Sequence, residues 1–367
     1  MTQAVALAQQ ASTGVSQGFK NRIINGAMTI DQRNAGASVS LAAGADQYTL
    51  DRYDVQNNTT SGAFTCQQVS TAPAGFINSM KITVTATEAS PTSTMKARIY
   101  QAIEGLNVAD LGWGTANAKT VTLSFWVQSS VTGTFGGSLG NASDNRAYPF
   151  TYTISAANTW EQKSVTIAGD TSGTWATNNT TGILLNISLL AGTSRSGTAG
   201  AWNSNWNTSA TGATNLLATN GATFYITGVQ LEVGSTATSF DYRPYGTELN
   251  LCYRYYYKVK SSGTSYSNLG TGYNTATTTA NVMVFFPVTL RTRPTALETS
   301  GTAGDYAIAH TNTATTCSAV PTYSVPSNEF QSLTIFTVSS GLTAGQGSRG
   351  CSDLNNANAF LAWSAEL

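Results

Sequence analysis

From residue 22 onward, apolar and polar positions alternate in short segments that are separated by turn residues. The clearest segments are Lys81–Ala86, Thr120–Gln128, Phe150–Ile154, Glu161–Ala168, Ile183–Leu190 and Thr223–Val233. In the second segment the apolar side chains share one face, namely Val121, Leu123, Phe125 and Val127. A period of two, repeated with turns between, is typical of two packed antiparallel sheets. The pattern therefore predicts an all-β chain with a jelly-roll β-sandwich over residues 23–247.

A second series of alternating segments follows the first. It comprises Asn281–Leu290, Asp305–Ala309, Glu329–Val338 and Asn358–Leu367. Between residues 246 and 280, the run SSGTSYSNLGTGYNTATTT (261–279) contains few large apolar side chains and many turn formers, and we place a boundary near residues 246–250. We expect a smaller C-terminal β domain over residues 248–367, which would form the receptor-binding tip.

The remaining segments fit neither series. Residues 2–18 are rich in Ala and Gln and are the one helical candidate, so residues 1–22 predict a helical or extended N-terminal segment. An isolated helix of this length is marginal in water, and the segment is either an anchor to a partner or a frayed terminus. Two stretches rich in glycine and asparagine, Gly133–Arg146 and Gly192–Gly221, predict long loops.

Composition narrows the possible functions. Only 10% of the 367 residues are charged, and 18 basic residues balance 18 acidic ones. A neutral surface of Thr, Ser, Asn and Gly is a poor match for nucleic acid. No stretch approaches the ~18 apolar residues of a membrane helix, so we expect no membrane insertion. Without a CxxC pair, the four cysteines predict reduced core thiols and no metal site.

Catalytic groups are scarce. His310 is the only histidine, and a single histidine beside a strand is more often structural than catalytic. The sequence does not contain the GxxxxGK[ST] phosphate-binding loop. We therefore expect no nucleotide and no other cofactor. Asp46, Asp51 and Asp54 are close in sequence, but turn hydrogen bonds explain them better than glycoside hydrolysis does. We predict no catalytic residue and a chain that is not an enzyme.

Aromatic side chains are the remaining candidates for function. Those in the two long loops and nearby turns could contact a glycan or a protein receptor, namely Trp202, Trp206, Trp175 and Tyr148. The alternative is that they hold the loops onto the sandwich. A second group favours packing between domains or subunits, namely Tyr255, Tyr256 and Tyr257, with Phe285 and Phe286 in a segment that is apolar on both faces.

Several strings of residues resemble bacteriophage tail fibre and minor tail proteins. They are GFKNRIINGAMTIDQRNAG (18–36), LDRYDV (50–55), residues 100–130, and above all FYITGVQLEVGSTATSFDYRPYGTELNLCYRYYYK (224–258), with WSAEL at 363–367. The resemblance implies a carbohydrate-binding-module-like jelly roll. It transfers no catalytic residue, and over 259–350 it is only compositional.

The resemblance further implies a virion structural protein, a tail fibre or spike that attaches the particle to the host surface. It implies a homotrimer, contact with other virion proteins through the N-terminal segment, and contact with host polysaccharide or protein through the distal loops. A capsid-attached head fibre or decoration protein stays open as an alternative. A glycan depolymerase is the less favoured one. The sequence leaves a structural calcium undetermined, because no loop signature is present.

Overall fold

The computed structural model describes residues 20–311 and 313–367. The predicted N-terminal anchor therefore lies outside the described residues, except for residues 20–22. The described chain forms two compact units, residues 20–245 and residues 246–366. Among the described residues, no helix has the length and apolar character needed to cross a bilayer.

The first unit is a sandwich of two six-stranded sheets, and the paired strands within each of these sheets are antiparallel. Strands are numbered in chain order. Sheet A has the order β1 (Val39–Leu41), β4 (Ala63–Val69), β5 (Ser79–Ala86), β14 (Thr223–Val233), β7 (Val121–Ser129) and β10 (Glu161–Ile167). Sheet B has the order β2 (Asp46–Tyr48), β3 (Asp54–Asn58), β6 (Lys96–Glu104), β11 (Thr181–Ala191), β8 (Gly133–Gly140) and β9 (Ala147–Ile154). The chain crosses repeatedly between the sheets, and the predicted all-β sandwich is confirmed.

The core of the sandwich follows the alternation of the sequence. Val121, Leu123, Phe125 and Val127 are fully buried and share one hydrophobic cluster with the inward side chains of sheet B. On strand β6 the inward side chains include Ala97 and Ile99, so Lys96, Arg98 and Tyr100 lie on the outer face of sheet B. Sheet B thus turns polar side chains outward.

One of the two predicted loops is wrong. Residues 133–140 form strand β8. Its glycines have no side chains, so neighbouring atoms occupy the space next to the backbone that a side chain would fill. A Cβ at Gly136 would lie 2.4 Å from Ser209 Oγ, and one at Gly137 would lie 2.5 Å from the Phe150 ring. Glycine here serves close packing within a sheet and not a turn.

The second predicted loop is observed as a loop over residues 192–213, which we call the 192–213 loop. It contains two short parallel strands, β12 (Ser196–Gly197) and β13 (Ser209–Ala210), and β13 packs against β8, β9 and β11 of sheet B. Short 3-10 turns in the described chain are Gly105–Asn107, Ala109–Leu111, Thr193–Arg195, Leu216–Ala218 and Ala303–Asp305.

The second unit is also mostly β. A three-stranded sheet has the order β15 (Tyr256–Lys260), β24 (Phe360–Ser364) and β18 (Glu298–Thr299). A seven-stranded sheet has the order β20 (Thr313–Thr316), β19 (Tyr306–His310), β23 (Gly347–Ser352), β16 (Asn268–Asn274), β17 (Thr279–Phe285), β22 (Gln331–Thr337) and β21 (Ala319–Ser324). Trp363 and Phe336 lie in its core.

Helix α1 (Tyr245–Tyr253) is a feature that the sequence analysis missed. Pro244 comes directly before it, where its fixed φ and missing N–H are tolerated, and Glu248 lies in its first turn. Tyr253 is the last residue of this helix. The strand that follows, β15, starts at Tyr256.

Candidate functional site

Three of the predicted contact residues, Trp175, Trp202 and Tyr148, form one aromatic cluster with Trp113. The Trp113 ring lies 4.8 Å from Trp175 and 5.3 Å from Trp202, and Trp202 lies 5.3 Å from Tyr148, all edge to face. Trp202 Nε1 also donates a hydrogen bond to the Ala168 carbonyl at 2.7 Å. This aromatic cluster holds the 192–213 loop and the β10–β11 connection on the sandwich. Nothing in the sequence singles out Trp113, because its partners Trp175 and Trp202 are distant in the chain.

The members of the cluster differ in exposure. Trp175 and Trp202 are half-buried and can still meet a ligand. Tyr148 is 9% exposed and lies in strand β9, so its predicted place in a loop is wrong. Trp113 and Trp175 also line a small cavity of about 210 Å³ with Val108 and Ile183.

Trp206 lies apart from that cluster, on the outer face of sheet B. Lys96 Nζ is 3.6 Å from the centre of its ring, Arg195 Cζ is 4.1 Å away, and Arg98 Cζ is 5.9 Å away. Lys96 and Arg98 are buried, while Trp206 and Arg195 are half-buried. Cations over an indole are attracted by its negative face, so these contacts fix the loop to the sheet.

A row of polar side chains crosses sheet B beneath Trp206. Gln56 donates to Asp46 at 2.6 Å, Arg98 Nε donates to Gln56 at 3.0 Å, and Arg98 Nη1 donates to Asn186 at 2.6 Å. The row continues from Asn186 to Ser138 Oγ at 3.0 Å. Tyr100 lies beside it, with its ring 4.2 Å from Arg98 Cζ. Arg98, Asn186 and Ser138 are buried and bond to their neighbours in the row, whereas Gln56 and Tyr100 are half-buried. Gln56 and Tyr100 are therefore the members of this region that a ligand could reach.

Burial shifts the protonation of two groups at this face. Desolvation, together with the hydrogen bond and charge of Asp46, raises the pKa of Asp54 to about 8. Desolvation, together with the charges of Arg98 and Arg195, lowers the pKa of Lys96 to about 7. The Asp54 carboxyl is therefore mostly protonated at neutral pH. The Lys96 amine gains or loses its positive charge near pH 7.

The carboxylates do not form a hydrolytic pair. Asp46 is close enough to Asp54 to raise its pKa, whereas the acid and the nucleophile or base of a glycosidase stand about 5–10 Å apart. Asp51 accepts a hydrogen bond from the Gln32 backbone at 2.7 Å and has a structural role. His310 Nε2 contacts Thr315 Oγ1 at 3.2 Å. Among residues 20–311 and 313–367, no cluster of three His, Cys, Asp or Glu could hold a metal ion.

The four cysteines are buried. Burial raises the pKa of Cys66 and Cys317 to about 12 and that of Cys351 to about 11, so these thiols stay protonated.

The residues predicted to pack between domains or subunits are buried to different degrees. Tyr255 and Tyr256 are almost fully buried, and Tyr257 stacks on Trp363 with 6.1 Å between ring centres. Phe286 is 9% exposed and contacts Trp363 at 5.3 Å. Phe285, the preceding residue, is 66% exposed. Within the second unit, four of the five are therefore core or partly core residues, and Phe285 alone faces outward.

Comparisons with known proteins give weak similarities. No protein-family model matches the chain, and no curated protein matches it. Among solved structures, the enzymatically active domain of tailspike protein 4 from bacteriophage CBA120 aligns with 58% of this chain at 12% identity and a TM-score of 0.28. The aligned part is 21% of that tailspike chain.

Two further neighbours contain carbohydrate-binding modules from Clostridium thermocellum. A family 11 module in complex with a β-1,3-1,4-mixed-linked tetrasaccharide aligns over 56% of this chain and 100% of its own, at 10% identity and a TM-score of 0.27. A xylanase fragment with a family 22 module, in complex with xylohexaose, aligns over 52% of this chain and 28% of its own, at 13% identity and a TM-score of 0.25. Similarity at this level describes those proteins and assigns no ligand to this chain.

Proposed function

We propose that this chain is a structural protein of a bacteriophage virion, a tail fibre or spike that attaches the particle to glycans on the host surface. In this proposal it acts as a homotrimer, its N-terminal segment contacts other virion proteins, and its sandwich meets host polysaccharide. The C-terminal unit is the proposed tip, which would contact a polysaccharide or protein receptor. The chain is proposed to bind and not to catalyse.

One observation carries the binding part of the proposal. Trp206 is half-buried on the outer face of sheet B, and Arg98, 5.9 Å from its ring, contacts the half-buried Gln56 and Tyr100. A sugar ring offers an apolar face to aromatic side chains and hydroxyl groups to planar polar ones. The outer face of sheet B supplies both kinds of group in one place.

The virion part rests on the sequence. Residues 224–258 resemble phage fibre and minor tail proteins, and they form strand β14, helix α1 and the start of β15. A surface with few charges and an exposed Phe285 on a strand of the second unit also suits a subunit that assembles with copies of itself. The same sequence resemblance supports the alternative of a capsid-attached head fibre or decoration protein. Only the location of the protein on the particle distinguishes that alternative from a tail fibre or spike.

The first experiment locates the protein. Antibodies raised against the purified chain should label intact phage particles at the tail in immunogold electron microscopy. Labelling on the capsid would favour the head-fibre alternative. Particles without label, from a stock that contains the protein by mass spectrometry, would contradict the virion assignment.

The second experiment tests binding. The full chain should bind glycans on an array of bacterial surface polysaccharides, and Trp206→Ala should reduce that binding by at least about tenfold. Trp160→Ala is the matched control, because Trp160 is a half-buried tryptophan that pairs with Tyr225 of sheet A at 6.1 Å. Equal losses in both variants would contradict a site on sheet B. New reducing ends after incubation with the bound polysaccharide would show the depolymerase alternative to be right.

A further inference from the structure

Three asparagines at alternate positions of the 192–213 loop, Asn203, Asn205 and Asn207, line one cavity of about 340 Å³. The other lining residues are Ser196, Gly197, Thr198, Ala201, Trp202 and Thr211. All of these residues are uncharged. The cavity is thus lined by amide and hydroxyl groups with one indole in its wall, and Lys96, Arg98 and Arg195 are not among its lining residues.

Asn207 is the residue that points to a ligand. It is 5% exposed, and its Oδ1 is buried without a hydrogen-bond partner. Its backbone carbonyl accepts a hydrogen bond from Ser138 Oγ at 2.8 Å, but its side chain makes none to the described chain. Buried amide groups in folded proteins are almost always satisfied. The Oδ1 of Asn207 lies against Gly197 without accessible surface, so a molecule in the cavity would meet the Nδ2 end of this amide, which is a hydrogen-bond donor.

Gly197 makes room for this amide. A Cβ at Gly197 would lie 2.5 Å from Asn207 Oδ1 and 3.2 Å from the Pro149 ring. Any side chain there would push the amide out of its place. The glycine therefore keeps the Asn207 side chain in the cavity wall.

Trp202 is held rigidly at the other side of the cavity. Its Nε1 hydrogen bond to Ala168 and its three edge-to-face aromatic neighbours, Trp113, Trp175 and Tyr148, fix its orientation. Trp202 is half-buried and lines the cavity, so it can contact a ligand while its ring stays in this orientation. Asn203 is also fixed, because its Oδ1 accepts a hydrogen bond from the Asn205 backbone at 2.9 Å.

We propose that this cavity is a binding subsite for a neutral hexopyranose unit, and this rests on the proposed function of the chain as a glycan-binding protein. A pyranose ring has an apolar C–H face for Trp202 and hydroxyl groups that both donate and accept, as amides do. A phosphate or a uronate would find no cation among the lining residues. An acyl chain would leave the asparagines unsatisfied.

The test is a titration of the full chain with glucose, galactose and mannose, each beside its uronic acid. Tryptophan fluorescence and saturation-transfer NMR report binding. At least one neutral hexose should saturate with a Kd on the order of 1 mM, as fits a ligand of this size. Its uronic acid should bind at least about tenfold more weakly. Equal binding of the two, or no saturation by any hexose below about 100 mM, would overturn the proposal.

Variants assign the binding to the cavity. Asn207→Ala should weaken the hexose at least about tenfold, and Gly197→Ala should do the same by displacing the amide. Asn205→Ala removes an exposed amide at the rim of the cavity and should weaken binding several-fold. This variant keeps the test valid if Asn207→Ala and Gly197→Ala fail to fold. Asn117→Ala, an exposed asparagine outside the cavity, should bind as the wild type does. Unchanged binding by the folded cavity variants would refute the subsite.

The outcomes separate this subsite from the proposed function. If particles carry the protein and polysaccharide binding persists in Asn207→Ala, the subsite is wrong and the attachment role stands. If hexoses bind and Asn207→Ala abolishes binding, but no particle carries the protein, the virion role is wrong and the subsite stands.

Discussion

Lys96 Nζ lies 3.6 Å from the centre of the Trp206 ring, on the outer face of sheet B. These residues are far apart in the chain, and their contact joins strand β6 to the 192–213 loop. Lys96 is 5% exposed under this cover. The contact therefore both fixes the loop and keeps water from an ammonium group.

Removing the indole should change both properties. Trp206→Ala should destabilise the folded chain by about 1–2 kcal/mol through loss of the cation contacts. It should also raise the pKa of Lys96 from about 7 toward its usual value, because water then reaches the amine. Amine labelling as a function of pH, read by mass spectrometry at Lys96, measures the shift. An identical labelling profile in Trp206→Ala and in the Trp160→Ala control would contradict this explanation.

Asp54 should make the stability of the chain depend on pH. Its pKa is about 8 in the folded chain and has the ordinary aspartate value of 3.8 in the unfolded chain, so the folded state binds an extra proton between these pH values. The free energy of unfolding should therefore decrease as pH rises from about 4 to about 8. Asp54→Asn, which is neutral at every pH, should match the wild type near pH 4 and exceed it in stability by an increasing amount from pH 4 to pH 8. Urea unfolding at pH 4, 6 and 8 tests this, and a stability difference that does not vary with pH would refute it.

Gly228 should be sensitive to substitution. It has a φ of +61° at the irregularity between β14 and β7, and a Cβ there would lie 2.6 Å from the Phe76 ring. Gly228→Ala should cost at least about 2 kcal/mol of unfolding free energy. Gly246→Ala is the control, because nothing lies within 4 Å of its Cβ position and it is in helix α1. It should leave stability equal to the wild type or slightly higher. Similar losses in both would show the strained backbone and close contact to be unimportant.

Adjacent phenylalanines should separate folding from assembly. Phe286→Ala should destabilise the second unit by about 3 kcal/mol, because Phe286 is packed against Trp363. Phe285→Asp should leave folding intact, because Phe285 is 66% exposed. If the proposed homotrimer uses this surface, light scattering should give a trimer mass for the wild type and a monomer mass for Phe285→Asp. A wild-type monomer would refute the homotrimer.

Much of the sandwich could be predicted because its signal is local. The alternation in Thr120–Gln128 decides which side chains are buried, whatever strands lie beside it, since successive side chains in a strand point to opposite faces. The same reasoning failed for residues 133–140. Their glycines carry no alternation, and only the neighbouring Ser209 and Phe150 explain why they form a strand.

Helix α1 was missed for a different reason. Its nine residues contain Gly, Thr and Asn and have a weakly apolar face, so the sequence has no clear period of 3.6. Pro244 and Glu248 are residues typical of a helix N-terminus, but without a clear period of 3.6 after them they do not predict a helix.

The sequence by itself determined the fold class, the predominance of uncharged polar surface and the set of aromatic residues worth testing. Only the tertiary structure decided how these residues are used: Tyr148 is buried, Trp202 lines a neutral cavity, and Trp206 lies among cations. Alternation is a property of neighbours along a strand, whereas these environments depend on which strands and loops meet across the sheets. Trp202 and Trp206 are four residues apart in one loop, yet their partners come from different parts of the chain.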